Sequence, residues 1–429
     1  MYENLIGQEE VARILRSDMA RNELPPSLLF AGPENAGKLT AALESARALS
    51  CEAGTAAWNC PCPSCERHRT LSHPDLLLMG PRSFRAEIRA AGEILGRGPN
   101  RAARFFFYRA VRKLTRRFDP VLFEGEESRL AKAVPLLQSL EELAELAGPD
   151  SEKSERTPGE AAQAAAKVLP LTDKLESLVP ETLPIFQVRA AERWARFAPF
   201  ARVKVAVIEN AERMLDGSRN ALLKILEEPP ATARFILLSS RPSSLLPTIL
   251  SRVRSYPFRV RDAQASREIL AKVFRAPADE ADSSLDEFLA ARKPLPASAT
   301  DGYAFRFLSA VCYQASRQGA LIPDALLDLS SDAADRSVRQ ALSAISSETK
   351  GFGGGDDSLA YLFPAFLRSL ARRIRMKARY SDPRTDEILS RWSEALRDAQ
   401  VRFEAYNLSP AALAERLAEA LAEPLRSSP

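Results

Sequence analysis

The sequence predicts an α/β core in the N-terminal part of the chain, followed by domains that are entirely helical. Helical patterns separate three short apolar runs with the length and composition of buried parallel strands, at residues 28–31, 203–208 and 234–238. A glycine-rich loop follows the first run and leads into a helix, which is the context of a phosphate-binding loop. Beyond residue 260, apolar residues recur only at helical spacing.

The loop after the first strand keeps the frame of a P-loop, with Gly32, Gly37 and Lys38 at the required spacing. In a hydrolytic P-loop, the residue after the lysine is Ser or Thr, because its hydroxyl binds magnesium. Leu39 occupies that position. Thr40 comes one place later, and one residue turns a helix side chain by roughly 100°, so we expect Thr40 to point away from the metal. The loop could hold ATP or ADP but is poorly equipped for hydrolysis.

Length and composition indicate a conventional multidomain protein. The chain has 429 residues, of which 45% are hydrophobic. No apolar stretch reaches the roughly 20 residues that cross a bilayer, and the N-terminus lacks a signal-peptide pattern. We therefore expect a cytoplasmic protein with no membrane contact. A formal charge of +4, from 60 basic and 56 acidic residues, is too near balance to indicate nucleic-acid binding by itself.

The cysteines predict a metal site, because four of the five lie in one short window: Cys51, Cys60, Cys62 and Cys65. In a cytosolic chain such a cluster favours a structural zinc over disulfides, since four thiolates can enclose a tetrahedral ion. The alternative is a set of reduced, unliganded thiols, because one residue between Cys60 and Cys62 is a tighter spacing than usual. His68, three residues after Cys65, is a possible substitute ligand.

The second predicted strand ends in the form of a Walker B motif. In such motifs an Asp helps to hold magnesium, and in many families a following Glu polarises the attacking water. Glu209 and Asn210 occupy these positions. Glu209 could still reach a metal, but the amide of Asn210 cannot accept a proton at neutral pH. The metal ligand and the base are therefore both altered.

Four further strings carry a resemblance to a known family: 6–8 (Ile-Gly-Gln), 73–75 (His-Pro-Asp), 220–230 and 246–252. With the cysteine window, they resemble the AAA+ clamp-loader subunits of bacterial DNA polymerase III, in particular the delta-prime and gamma/tau members. The resemblance implies an AAA+ (RecA-like) core with a zinc module, then a small helical lid, then an all-helical collar through which subunits assemble. The expected ranges are 1–260 for the core, about 51–65 for the zinc module within it, 261–302 for the lid and 303–429 for the collar.

The resemblance also implies a role for Arg252. The family's Ser-Arg-Cys motif, whose arginine acts on ATP held by the neighbouring subunit, matches Ser251-Arg252-Val253. The alternative is that Arg252 caps a surface helix or forms an ion pair on it. A retained finger beside Leu39 and Asn210 fits the delta-prime type, which is expected to have no ATPase activity of its own.

The implied partners are other clamp-loader subunits, of the gamma/tau and delta types, and through the complex the sliding clamp and primed DNA. Two alternatives stay open. Lys38, Thr40 and Glu209 could support slow ATP hydrolysis, as in a gamma/tau-like motor, or the loop could be a relic in a scaffold.

The chain departs from the family by an extra helical insertion at about 83–181. Phe107, Val111, Leu114 and Phe118 share one helical face there, and basic residues occupy the rest: Arg109, Arg112, Lys113, Arg116 and Arg117. One interpretation docks the apolar face on the core and leaves the basic residues solvated. The other has the insertion contact DNA phosphates or another subunit.

Overall fold

The computed structural model divides the chain into two compact units, Met1–Arg292 and Lys293–Pro429. It describes residues 1–98, 100–149, 158–180, 182–278, 280–292, 297–331, 335–349, 358–377, 382–406 and 410–426. Residue 181, the expected end of the insertion, lies outside these ranges. Among the described residues, no helix combines the length and hydrophobicity needed to span a membrane.

A five-stranded parallel sheet forms the centre of the first unit, in the order β2-β3-β4-β1-β5. Its strands are β1 (Ser27–Ala31), β2 (Leu76–Met79), β3 (Lys204–Ile208), β4 (Ala233–Ser239) and β5 (Arg254–Pro257). Every residue of β1, β2 and β3 is buried, as expected where helices cover both faces of a sheet. The predicted α/β class and the three predicted strands are confirmed.

Alternate residues of the strands enter two different cores, because successive side chains point to opposite faces of a sheet. Leu28 and Phe30 pack with the helices α1 (Glu9–Ala20) and α2 (Lys38–Leu49). Leu29 and Ala31 belong to a larger core on the other face, which the insertion completes. The remaining helices of this unit are α3 (Pro63–Arg69), α4 (Arg85–Arg97), α5 (Arg101–Thr115), α6 (Glu127–Ala131), α7 (Val134–Leu146), α8 (Pro158–Glu176), α9 (Ile185–Arg196), α10 (Asp216–Glu227), α11 (Pro247–Leu250), α12 (Ala263–Ile269) and α13 (Leu285–Ala291).

The predicted amphipathic helix of the insertion is α5. Its apolar face, from Phe107 to the following turn at Phe118, is buried in the larger core of the sheet. The interpretation that leaves these basic residues solvated is wrong, because each of the five has a partner within the first unit, although the partner of Arg112 is itself 51% exposed. These partners are the Arg69 carbonyl for Arg109, Glu141 for Arg112, Glu87 for Lys113, Asp119 for Arg116 and Glu209 for Arg117. Charges held in a packed interface require such pairing, so Lys113 and Arg117, whose carboxylate partners are at most 14% exposed, are not free for DNA phosphates.

The described part of the second unit is helical. Its helices are α14 (Ala297–Arg317), α15 (Leu327–Ser331), α16 (Val338–Thr349), α17 (Ser358–Lys377), α18 (Pro383–Tyr406) and α19 (Pro410–Arg426). They share one apolar core, in which the Trp392 indole donates a 2.8 Å hydrogen bond to the Leu421 carbonyl.

Candidate functional site

The P-loop lies where β1 ends and α2 begins. Gly37 has a φ of 96°, a conformation that glycine adopts without steric cost, and it immediately precedes the first residue of α2, Lys38. A Cβ atom on Gly32 would collide with the Phe258 carbonyl. The two glycines are therefore required by the backbone path, and the loop has the strand, turn and helix geometry expected from its sequence.

Polar groups of the chain itself hold this loop. Lys38 Nζ donates to the carbonyls of Gly32 and Pro33, each at 2.5 Å. Burial lowers the pKa of Lys38 from its ordinary value, although nearby carboxylates oppose that effect. From the other side, Arg261 donates to the carbonyls of Asn35 and Ile6, and burial lowers its pKa to about 10. Two cations therefore lie against the loop.

The residue at the position that would supply a side-chain hydroxyl to magnesium is part of the hydrophobic core. Leu39 is 7% exposed and packs with the residues on the α1 and α2 side of the sheet. Thr40 is half-buried on α2. The side chain next to Lys38 therefore contributes to packing and offers no oxygen to a cation.

Two arginines hold the Walker B carboxylate. Glu209 follows β3 and is 5% exposed. Its Oε2 accepts a 2.8 Å hydrogen bond from Arg82, and its Oε1 accepts one from Arg117. Burial alone would raise the pKa of Glu209, but Arg82 and Arg117 outweigh burial and hold the pKa below its ordinary value.

The two arginines belong to a longer buried chain of charges. Arg82 also pairs with Glu87 of α4 at 2.9 Å, and Glu87 pairs with Lys113 of α5. Despite burial, Lys113 and Arg82 hold the pKa of Glu87 at about 2. We call the five residues Lys113, Glu87, Arg82, Glu209 and Arg117 the charge network. It joins the predicted insertion to the P-loop side of the sheet.

The residue at the position of the catalytic base is fixed by its own amide. Asn210 has a φ of 49°, and its Nδ2 donates a 2.6 Å hydrogen bond to the Pro81 carbonyl. Sequence reasoning missed a second carboxylate close by, that of Glu212. It is 8% exposed and accepts a 2.7 Å hydrogen bond from the Ser240 hydroxyl. The only sequence signal for Glu212 is its position three residues after Glu209.

The structure brings the four cysteines of the predicted metal site together. The Sγ atoms of Cys51, Cys60, Cys62 and Cys65 all lie within 4.8 Å of one another, and those of Cys51 and Cys60 are 3.8 Å apart. Two sulfurs, each about 2.3 Å from a tetrahedral zinc, would be separated by roughly 3.8 Å. Hydrogen bonds from backbone N–H groups and neighbouring cysteines outweigh burial and lower the pKa of Cys62 to about 6, whereas burial and the same neighbours raise the pKa of Cys65. The donor set fits zinc.

His68 is not part of this group in the described structure. Its ring stacks on that of His73, with centroids 4.1 Å apart, and it is 3% exposed. Burial lowers the pKa of His68 well below its ordinary value. Four cysteines complete a zinc site without it, so the substitute role is not needed.

Arg252 lies in the turn after α11, on the surface. Its side chain is 33% exposed, and Nη2 pairs with Glu227 of α10 at 2.8 Å. Nη1 donates to the Thr248 carbonyl one helical turn earlier. These contacts hold the guanidinium at the surface, where Glu227 is its one carboxylate partner among the described residues.

Comparison with known proteins assigns the chain to a family. The family described as "DNA polymerase III, delta subunit" matches residues 7–128 and 159–262, which is more than half of the chain. The delta-prime subunit of DNA polymerase III from Pseudomonas aeruginosa is 43% identical over 105 residues, 24% of this chain and 31% of that protein. The gamma/tau subunit from Mycobacterium tuberculosis is 40% identical over 80 residues, 18% of this chain and 14% of that protein.

The chain thus spans less than a third of the length of either relative. A solved structure of a gamma subunit-related protein from Thermotoga maritima is 20% identical and covers 58% of this chain and 81% of that chain. Its TM-score of 0.27 carries no argument about the arrangement of the two units. The family match rests on the stretches that contain the P-loop, the cysteines, Glu209 and Arg252, and on that basis the chain belongs to the DNA polymerase III delta subunit family.

Proposed function

We propose that this chain is a delta-prime-like subunit of the DNA polymerase III clamp loader and helps to load the sliding clamp on primed DNA. Its partners are other clamp-loader subunits, of the gamma/tau and delta types. Its own ATP site does not hydrolyse nucleotide, and Arg252 serves a neighbouring subunit. The proposal extends the family match, since the relatives include both delta-prime and gamma/tau proteins.

The observation that carries the proposal is the pairing of Glu209 with two guanidinium groups. Two guanidinium groups neutralise the charge of this carboxylate and take one lone pair of each oxygen, which makes it a poor ligand for a metal ion. Leu39 and Asn210 supply neither the hydroxyl ligand nor the base of a hydrolytic site. The three changes are independent, and each alone would impair hydrolysis.

Arg252 is suited to act on another subunit, because its guanidinium is exposed and the carboxylate with which it pairs, that of Glu227, is at the surface. A guanidinium supplied in trans stabilises the charge that develops on a transferred phosphoryl group. Its exposed pair with Glu227 is a weak interaction, so a neighbour's phosphates can replace Glu227 as its partner.

ATP turnover by the isolated subunit tests the first half of the proposal. We expect no turnover above that of a Lys38→Ala variant. Robust turnover that the Lys38→Ala change abolishes would favour a gamma/tau-like motor and overturn the proposal.

We further propose that Cys51, Cys60, Cys62 and Cys65 hold a structural zinc ion; the proximity of their sulfurs, all within 4.8 Å of one another, supports this. The ion would fix the loop before α3. Metal analysis of protein purified without chelator should give about one zinc per chain, and a zinc content near zero would reject the site. We also keep the domain layout as a proposal: core 1–260, lid 261–302, and a collar at 303–429 through which the subunit assembles.

A further inference from the structure

A buried arginine connects the cysteine group to the loop between its first two members. Arg47 of α2 is 1% exposed, and its Nη1 donates a hydrogen bond to the Cys65 Sγ atom at 3.6 Å. The same guanidinium donates to the backbone carbonyls of Ala56 and Ala57, at 2.8 and 2.7 Å. It also pairs with Glu44 of its own helix at 2.8 Å. One side chain therefore contacts a sulfur of the metal site and the backbone of the neighbouring loop.

This contact matters when the cysteines bind metal. Four thiolates around one Zn²⁺ carry a net negative charge, and a buried charge needs a compensating partner. A hydrogen bond to a ligand atom also orients that ligand and tunes the affinity for the metal. The guanidinium of Arg47 supplies both the charge and the hydrogen bond at Cys65.

The loop between Cys51 and Cys60, residues 52–59, has a backbone that needs support. We call it the Trp58 loop. Ala56 has a φ of 46°, in the left-handed region that residues with a Cβ atom rarely adopt. The Ala56 carbonyl accepts a hydrogen bond from Arg47, and its N–H donates to the Cys51 Sγ atom at 3.4 Å. The metal site and the shape of the Trp58 loop therefore depend on the same groups.

The indole of the Trp58 loop contacts the insertion. The Cζ atoms of Arg47 and Arg109 lie 5.6 and 5.7 Å from the centroid of the Trp58 ring. Phe105 meets the same ring edge-on, with centroids 6.1 Å apart. Phe105 and Arg109 are four residues apart on α5, so they share one helical face. Cation–π and edge-to-face contacts of this kind are favourable.

A second set of contacts joins the same elements through the backbone. Arg69, the last residue of α3, donates from Nη1 to the carbonyls of Trp58 and Cys60, at 2.8 and 2.7 Å. The Arg69 carbonyl in turn accepts a hydrogen bond from Arg109. Arg109 therefore contacts both the indole and the end of α3, and a change in the Trp58 loop acts directly on α5.

We propose that the zinc module holds one face of the insertion helix α5, with Trp58 as the contact residue and Arg47 as a positioning residue that fixes the Trp58 loop. The inference rests on the structural zinc proposed above and adds its effect on the rest of the chain. Removal of the metal releases the face of α5 that carries Phe105 and Arg109. The apolar face of α5 stays in the larger core of the sheet, so the change is a local opening.

Hydrogen exchange of the full chain, followed by mass spectrometry, tests the coupling. The zinc-loaded protein is compared with the same protein after chelation. We expect the amides of α5 to exchange on the order of tenfold faster without zinc, while those of α19 in the second unit are unchanged. A zinc content near zero would reject the zinc site and this inference together. Bound zinc with no effect on α5 would reject this inference alone.

Variants of the contact residues separate local opening from general loss of structure. Trp58→Leu should retain about one zinc per chain, yet its α5 should exchange as fast as in the zinc-free wild type, and chelation should add nothing. Arg109→Met should behave in the same way. The matched control is Arg112→Met, because Arg112 of α5 pairs with Glu141 inside the insertion. It should keep the zinc-dependent difference. A wild-type difference in Trp58→Leu would reject the role of Trp58.

Transfer of zinc to a chromogenic chelator tests Arg47. The double variant Glu44→Gln, Arg47→Met leaves no unpaired carboxylate at position 44 and should release zinc on the order of tenfold faster than wild type. Its control is Glu44→Gln alone, which keeps the contact between Arg47 and Cys65. Arg47→Lys should lie between the two, because it retains the positive charge. Equal release rates for the double variant and its control would reject the role of Arg47. None of these measurements involves ATP turnover or Arg252, so the delta-prime-like function is tested separately.

Discussion

Arg117 and Arg252 both pair with a glutamate, but in opposite surroundings. Arg117 is 2% exposed and shares Glu209 with a second arginine, whereas Arg252 is 33% exposed and pairs with Glu227, itself half exposed. Removing a buried partner leaves an unpaired charge in the interior, while removing a surface partner leaves a charge in water. The first arrangement fixes a carboxylate permanently. The second keeps a guanidinium available to another molecule.

The largest expected effect concerns Arg252. In the assembled clamp loader, Arg252→Ala should reduce DNA-stimulated ATPase activity on the order of 10³-fold at the neighbouring site, because it removes charge stabilisation at the transferred phosphoryl group. Steady-state ATP hydrolysis by the purified complex measures this. The control is Arg259→Ala, which removes an exposed arginine that pairs with Glu10. Undiminished activity in an intact complex would reject the role of Arg252 as an arginine finger.

The next prediction compares how much Arg117 and Arg252 contribute to the free energy of unfolding. Arg117→Met should lower the free energy of unfolding by about 3 kcal/mol, since it takes a buried partner from Glu209. Arg252→Met should change it by less than about 0.5 kcal/mol. Urea unfolding of both variants measures the difference. Equal values would mean that the Glu209 region is as tolerant as the surface and that the network does not fix this carboxylate.

A smaller effect is the pH dependence of the network. Glu87→Gln should cost about 2 kcal/mol at neutral pH, because Lys113 and Arg82 lose a shared partner. The pKa of Glu87 is about 2 in the folded chain against an ordinary 4.5. A depressed pKa gives stability that is complete above the unfolded value and is lost as pH falls towards the folded value. The difference between wild type and Glu87→Gln should therefore shrink from pH 4.5 towards 2 in urea unfolding, and a constant difference would contradict this.

The smallest expected effect is an absence of gain. A Leu39→Ser, Asn210→Glu double variant restores the residue types of a hydrolytic site, yet its turnover should stay within about a factor of two of wild type. The reason is that Arg82 and Arg117 still occupy Glu209. The measurement is phosphate release by the isolated subunit. A clear gain would show that Leu39 and Asn210 alone prevent hydrolysis.

The parts predicted from sequence are those with local signals. The spacing of Gly32, Gly37 and Lys38 predicted the loop, and short, mainly apolar runs predicted β1, β3 and β4. Both edge strands were missed. β5, Arg-Ser-Tyr-Pro, has no apolar run and only Tyr256 is buried, whereas β2, Leu-Leu-Leu-Met, is an apolar run of only four residues. The cysteines could be grouped from their spacing, although only the fold brings their sulfurs within bonding distance of one ion.

The charge network could not be predicted. Arg82 and Glu209 are 127 positions apart, and no local pattern distinguishes a buried arginine from an exposed one. The basic residues of α5 have the same helical spacing whether they face solvent or carboxylates. Most of their partners come from elements distant in sequence, namely α3, α4, α7 and the turn after β3, so their role depends on tertiary packing.

The link between Arg117 and Glu209 also has a consequence for how the protein is made. The two residues are 92 positions apart, and the ribosome completes the segment that carries Arg117 long before β3 emerges. Burying Glu209 before its partners are in place would cost several kcal/mol. Strand β3 therefore gains its full stability only by joining helices that have already formed, which makes this part of the chain a late, non-local step in folding.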